Sequence, residues 1–254
     1  MGPDPSRLSA QAEALRALHL GEDLLVLANV WDVASARLVA GLGHPAIATA
    51  SAAVTASLGY PDEDSIPADE MFGAVGRIAA AVEVPVTADL EAGYGLEPEE
   101  LARRLLGAGA VGLNLEDTDH HGENELVDEH MHAKWLRAVK DAARAAGVDV
   151  VLNARVDAPG LDEALHRALL YRAAGADCVY PIKLSERDDL HAFVAGVDAP
   201  VNVLVRPGSP SLGELRELGV ARVSFGPGLH LVALSALEHF LAGIGPDEPV
   251  YRAG

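Results

Sequence analysis

The chain has 254 residues, half of them apolar and 22% charged, with a single cysteine; it can bury the core of one globular domain, which excludes a disordered, collagen-like or disulfide-stapled chain. A formal net charge of −19 repels phosphate backbones and anionic lipid, so neither nucleic acid nor membrane is an expected partner. With no apolar run long enough for a membrane span and no basic-then-apolar N-terminal segment, a cytoplasmic protein is expected. In chain order, a helix over 9–20 comes first, inside an N-terminal region 1–22. Strands are then predicted over 24–28, 45–49, 84–88, 111–115, 149–153, 177–182, 200–205 and 221–225, each a short apolar or β-branched run. Between and after them, helices are predicted over 32–40, 68–81, 98–108, 128–146, 161–174, 188–195, 211–218 and 229–242. Gly109, Gly147, Gly175 and Gly219 stand where helix C-caps want glycine. Eight βα units without a change of composition predict an α/β fold, a single-domain (β/α)8 TIM barrel over 1–254 that ends in the helix and short tail of 229–254.

Barrel enzymes place their chemistry at the C-terminal ends of the strands, so the polar residues just past each run are the candidates. Asp89 and Glu91 follow the third strand, two positions apart, where an extended chain points both side chains the same way; Glu116 closes the fourth. Crowded carboxylates repel one another unless a cation compensates, and hard oxygen ligands without His or Cys suit Mg²⁺ or Mn²⁺. Against this stands a plain solvated acidic rim. Arg155, beside Asn153 at the end of the fifth strand, suits a substrate carboxylate or phosphonate, because a guanidinium offers two parallel donors; an ion pair with the nearby acids is the other reading. The segment 49–51, with Ala50 and Ser51, offers backbone N–H groups and a hydroxyl to an anionic oxygen, or packs as small residues. Trp31 is placed either as a roof over the site or in the core. His120 and His121 follow Glu116 in a loop and suit general acid/base work near neutral pH, or are simply exposed. Lys183, after the sixth strand, is one of only three lysines and supports a Schiff-base aldolase as an alternative.

The segment Ala88-Asp89-Leu90-Glu91-Ala92-Gly93-Tyr94-Gly95 resembles the D-x-[DE]-x-G-Y-G signature of the isocitrate lyase/phosphoenolpyruvate mutase superfamily. Ser57–Asp62, Asn114–Asp117, Ala154–Asp157 and Ala174–Asp177 support the resemblance, which spans nearly the whole chain. It implies a (β/α)8 barrel that holds Mg²⁺ and a small 2-oxo or 2-hydroxy carboxylic acid, or its enolate. Asp89 would be the main direct metal ligand, with Glu91, Glu116 and Asp62 acting near the metal, mostly through water. Arg155 would bind the anionic end of the substrate, and Ala50 and Ser51 would lie in the loop receiving the 2-oxo acid. The family commonly forms homo-oligomers by swapping a long C-terminal helix. The tail after 242 is too short to add another long helix, so a dimer is expected more readily than a swapped tetramer.

Departures from the pattern bear on the reaction. The carbon–carbon lyases of isocitrate and methylisocitrate carry a Lys-[KR]-Cys-Gly-His segment after strand four. Here residues 116–125 contain no cysteine, and Cys178 sits in an apolar run where inert packing is expected. Phosphoenolpyruvate mutases have Glu-Asp-Lys and, five residues on, Asn-Ser. This chain keeps Glu116, Asp117 and Asn124 in register but has Thr118 and Glu125 in the other two places. The expectation is a Mg²⁺-dependent lyase or phosphonomutase-like enzyme that makes or breaks a C–C or C–P bond beside a 2-oxo group. A barrel that binds a 2-oxo acid without turnover is the non-enzymatic alternative.

Overall fold

The computed structural model describes residues 3–61, 66–120 and 125–244. Helix α1 (Pro5–His19) starts at an Asp4 cap and is followed by β1 (Leu25–Val26) and β2 (Asn29–Val30), two pieces of one barrel strand. The remaining barrel strands are β3 (Ile47–Thr49), β4 (Val86–Asp89), β5 (Gly112–Glu116), β8 (Val151–Val156), β9 (Cys178–Pro181), β10 (Asn202–Leu204) and β11 (Arg222–Ser224). All pair in parallel: β2-β3-β4-β5-β8-β9 form one sheet and β1-β11-β10 another. The single bridge Val179↔Val201 joins β9 to β10, and the segment from β1 to β2 links the two sheets at the opposite seam. The order of pairing is that of a (β/α)8 barrel, with all eight predicted strands in place.

The helices follow the same logic. Those after the strands are α2 (Val33–Gly41), α4 (Ala68–Ala79), α5 (Pro98–Ala108), α6 (Glu129–Ala145), α7 (Leu161–Ala173), α8 (Arg187–Gly196), α9 (Leu212–Glu217) and α10 (Gly228–Ala242). The four predicted C-cap glycines all take positive φ, between 82° and 109°, a region closed to most side chains. Two features were not expected from the sequence. Helix α3 (Ser51–Ser57) starts directly behind β3 without a side-chain cap, and β6 (Thr118–Asp119) pairs antiparallel with β7 (Glu125–Leu126) to make a hairpin outside the barrel.

Because both faces of a parallel barrel strand are covered, β3, β5 and β11 are buried along their whole length. Leu15 of α1 presses on Gly112 at the bottom of the barrel, so tightly that a Cβ there would stand 2.7 Å from Leu15 Cδ2. Thus α1 plugs the N-terminal end. Helix α10 is different: His230 is its only buried residue, while Leu231, Val232, Leu234, Leu237 and Leu241 are exposed. No described helix is long and apolar enough to cross a membrane.

Candidate active site at the barrel mouth

Asp89 ends β4, and its carboxylate is held from three sides. The backbone N–H and hydroxyl of Ser51 donate to Oδ2 at 3.0 and 2.9 Å, and Asn114 Nδ2 donates to Oδ1 at 3.2 Å. Its own N–H donates to Thr49 Oγ1 at 2.9 Å. These donors revise one expectation: Ser51 gives both its groups to Asp89, and the Ala50 N–H donates to Val30 O at 3.3 Å in the barrel ladder. Neither points free donors at a substrate.

The next turn revises another. The chain does not stay extended after Asp89: Glu91 takes φ 51°, and Gly93, Tyr94 and Gly95 take 87°, 56° and 65°. Alternation therefore cannot aim Glu91. It is buried by a left-handed loop that costs its two non-glycine members strain. Gly93 is required here, since a Cβ would lie 2.6 Å from Trp135 Cη2 and 2.9 Å from Leu101 Cδ1. Tyr94, unremarked in the sequence, joins the acids. Burial raises its hydroxyl far above the usual range, reinforced by the nearby charges of Glu91, Asp89 and Glu116.

Glu116 ends β5 and is almost fully buried, with Arg155 on Oε2 and His120 Nε2 on Oε1. Burial pushes its carboxyl up, against the pull of the His120 hydrogen bond and the Arg155 charge. Arg155, on β8, also grips Asp157 in a bidentate pair, Nε to Oδ1 and Nη2 to Oδ2, both at 2.7 Å. Burial would lower the guanidinium's affinity for its proton, but Glu116 and Asp157 more than offset it, so Arg155 stays charged. The ion-pair reading of Arg155 is what the structure shows, and the side chain remains partly accessible at the mouth. Behind it, Thr118 Oγ1 donates to Asp157 at 3.0 Å and the Asp157 N–H to Asp117 at 2.8 Å. Asp117 in turn accepts from Tyr171 at 2.7 Å and from Arg167 at 3.2 Å.

The other candidates divide. Asn153 is fully buried inside the barrel, donating to Asn114 Oδ1 at 2.8 Å. Trp31 packs against His230 with ring centroids 4.9 Å apart and lines a groove of about 380 Å³ with Ser57, Leu58 and Arg77, so its contacts lead to α3, α4 and α10 and not to the acids. Asp62, His121 and Asn124 lie outside the described residues. Lys183 is exposed, without the desolvation a Schiff-base amine needs. Cys178 is fully buried and its thiol is pushed up to about 12 by that burial, an inert group.

Among the described residues no three acidic, His or Cys side chains converge into a closed metal cage. The donor set still fits a hard divalent ion that keeps much of its water, since Mg²⁺ is normally held by one or two carboxylates. Among the described residues Asp89 Oδ2 accepts two hydrogen bonds and Oδ1 only one, which leaves an Oδ1 lone pair for such an ion.

Similarity to known proteins agrees with this geometry. Residues 15–244 match the phosphoenolpyruvate phosphomutase family. An oxaloacetate decarboxylase of Rhodopseudomonas palustris is 32% identical over 89% of this chain and 81% of its own length. A 2-methylisocitrate lyase of Aeropyrum pernix is 31% identical over 91% and 78%. The crystal structure of a presumed phosphonomutase from Burkholderia cenocepacia J2315 superposes with a TM-score of 0.87 at 38% identity, covering 94% of this chain and all of that one. The chain is thus an enzyme of the phosphoenolpyruvate phosphomutase family, within the isocitrate lyase/PEP mutase superfamily of lyases and mutases.

Proposed function

We propose that this single-domain cytoplasmic barrel is a Mg²⁺-dependent lyase that acts on a small dicarboxylic acid of the oxaloacetate type, cleaving the carbon–carbon bond between the carbon beside the 2-oxo group and the distal carboxylate. The observation that carries the reading is the acid group of half-buried Asp89 with buried Glu91 and Glu116, set against the permanently charged Arg155. Superfamily members are generally Mg²⁺-dependent, and Mg²⁺, or Mn²⁺ in its place, supplies a Lewis acid for charge building on a ketone oxygen. Asp89 is the residue to hold it directly; Glu91, Glu116 and Asp62 act through water. Arg155 binds the substrate's carboxylate.

Bond cleavage leaves the electron pair on the 2-oxo fragment as an enolate while carbon dioxide departs; a proton at carbon then completes the product. The His120–Glu116 pair shares a proton at the mouth and is the donor proposed here, with Asn124 as the further catalytic candidate of the sequence. Such a path needs no cysteine acid, in keeping with the sealed Cys178. Two departures from the mutase pattern favour C–C over C–P chemistry. Thr118, in the place of the mutase lysine, turns its hydroxyl onto Asp157, and Glu125 replaces the mutase serine with a carboxylate, which repels a phosphoryl group. The exposed apolar face of α10 supports a homo-oligomer, dimer or tetramer, as the working form.

The test is direct. Purified enzyme with Mg²⁺ should convert oxaloacetate to pyruvate, lose the activity after exhaustive chelation and regain it with added metal. Conversion of phosphonopyruvate instead, followed by phosphorus NMR, would move the reading to the mutase side; full turnover in chelator would end it.

A further inference from the structure

Arg222, on β11, is fully buried in the barrel interior, and among the described residues no carboxylate lies within ion-pair distance of it. A bare guanidinium in a protein core is costly and calls for an account. Its Nη1 meets His19 Nε2 at 3.4 Å, and its Nη2 donates to Asn114 Oδ1 at 3.2 Å. His19 is neutral, held down to about 4 chiefly by burial and then by Arg222. With its Nδ1 on Leu15 O at 2.8 Å, it presents Nε2 to the guanidinium as an acceptor.

A guanidinium only donates. Whatever faces Arg222 must accept, so Asn114 has to turn its carbonyl oxygen inward and its NH2 outward. Asn153, which approaches the same oxygen at 2.8 Å, cannot impose this, because its own amide can turn either way. The outward NH2 of Asn114 is the group that donates to Asp89 Oδ1.

We propose that Arg222 is a positioning residue for Asp89: acting through Asn114, it fixes the direction of the hydrogen bonds along the barrel axis so that Asp89 presents one Oδ1 lone pair, as a one-point ligand, to a divalent cation at the mouth. The inference rests on Asp89 being a metal ligand, and the two are separable. Positioning and simple charge also predict opposite signs. If Arg222 were only a buried positive charge, removing it would tighten cation binding; as a positioning residue, its removal loosens binding.

Mn²⁺ affinity of the full chain, read by electron paramagnetic resonance without substrate, decides. Arg222→Met should weaken Mn²⁺ binding by about tenfold or more, the usual cost of losing a partner of a metal ligand. Arg222→Lys, also a donor only, should restore most of it. Asn114→Leu should match Arg222→Met, with the double variant no worse than either, because both break one chain of contacts; it carries the same test should Arg222→Met fail to fold. Unchanged or tighter Mn²⁺ binding in folded Arg222→Met or Asn114→Leu, while Asp89→Ala loses it, overturns the role of Arg222 and leaves Asp89 standing. Wild-type affinity in Asp89→Ala overturns the ligand reading itself, and this inference with it.

Discussion

The two ends of the barrel use the same residue types to opposite effect. At the bottom, Lys140 is fully buried, yet its ammonium reaches Asp177, Asp149 at 3.1 Å and Val150 O at 2.5 Å. Arg16 of α1 adds a bond to Asp177 at 3.1 Å and one to Asp149 O at 2.7 Å. Positive and negative groups answer one another, and the cluster is closed. At the mouth, Glu116, Asp157 and Asp89 act on Arg155, Glu91 is buried beside Tyr94, and the surplus is negative. A balanced buried cluster ties the plug to the strands; the unbalanced one leaves negative charge unanswered, which is where the proposed function seats its cation.

Cutting each cluster at its centre should separate the two roles most widely. Asp89→Ala is expected to lower turnover by about 10²–10³-fold, several kcal/mol of lost charge stabilisation, with the melting temperature close to wild type. Lys140→Met should do the reverse. Leaving two aspartates without their buried cation costs about 3–5 kcal/mol in urea unfolding, with activity per folded molecule retained. A Lys140→Met protein as stable as wild type would erase the distinction.

Acidity sharpens the contrast. Glu116 has a raised pKa, so its contribution to stability is present below the unfolded carboxylate value and is lost as pH rises through its folded value. Asp149 has a lowered pKa, through Lys140 above all; its contribution is present above the unfolded value and is lost as pH falls through the folded one. Melting temperature followed against pH should therefore lose slope in the mildly acidic to neutral range in Glu116→Gln, and in the more acid limb in Asp149→Asn. The smallest effect is expected between the two ends. Iodoacetamide at pH 8 should leave native Cys178 unmodified and label it once in urea, and Cys178→Ala should leave turnover unchanged.

The sequence made some of this plain and concealed the rest for physical reasons. Strands buried on both faces read as short apolar runs, and glycines closing helices before them mark the joints, so the eight strands stood out. Asp89, Glu116 and Arg155 were legible because they interrupt those runs at their ends. Helix α3 was not, since Ser51–Ser57 is short and lacks a capping side chain, and the β6–β7 hairpin has no alternating pattern to announce it. The aim of Glu91 depends on a left-handed turn that is invisible to an extended-chain argument. Arg222 carries no signal in the sequence beyond its place in the run 221–225; only the closing of the barrel turns it onto Asn114.

The contact between Gly93 and Trp135 ties the acidic loop to α6, because the indole fills the space a methyl group would need. Anyone transplanting this mouth into another barrel would have to carry the tryptophan along with the short signature segment. Without it the turn loses the wall it is folded against, and the borrowed carboxylates would arrive with nothing to hold their corner.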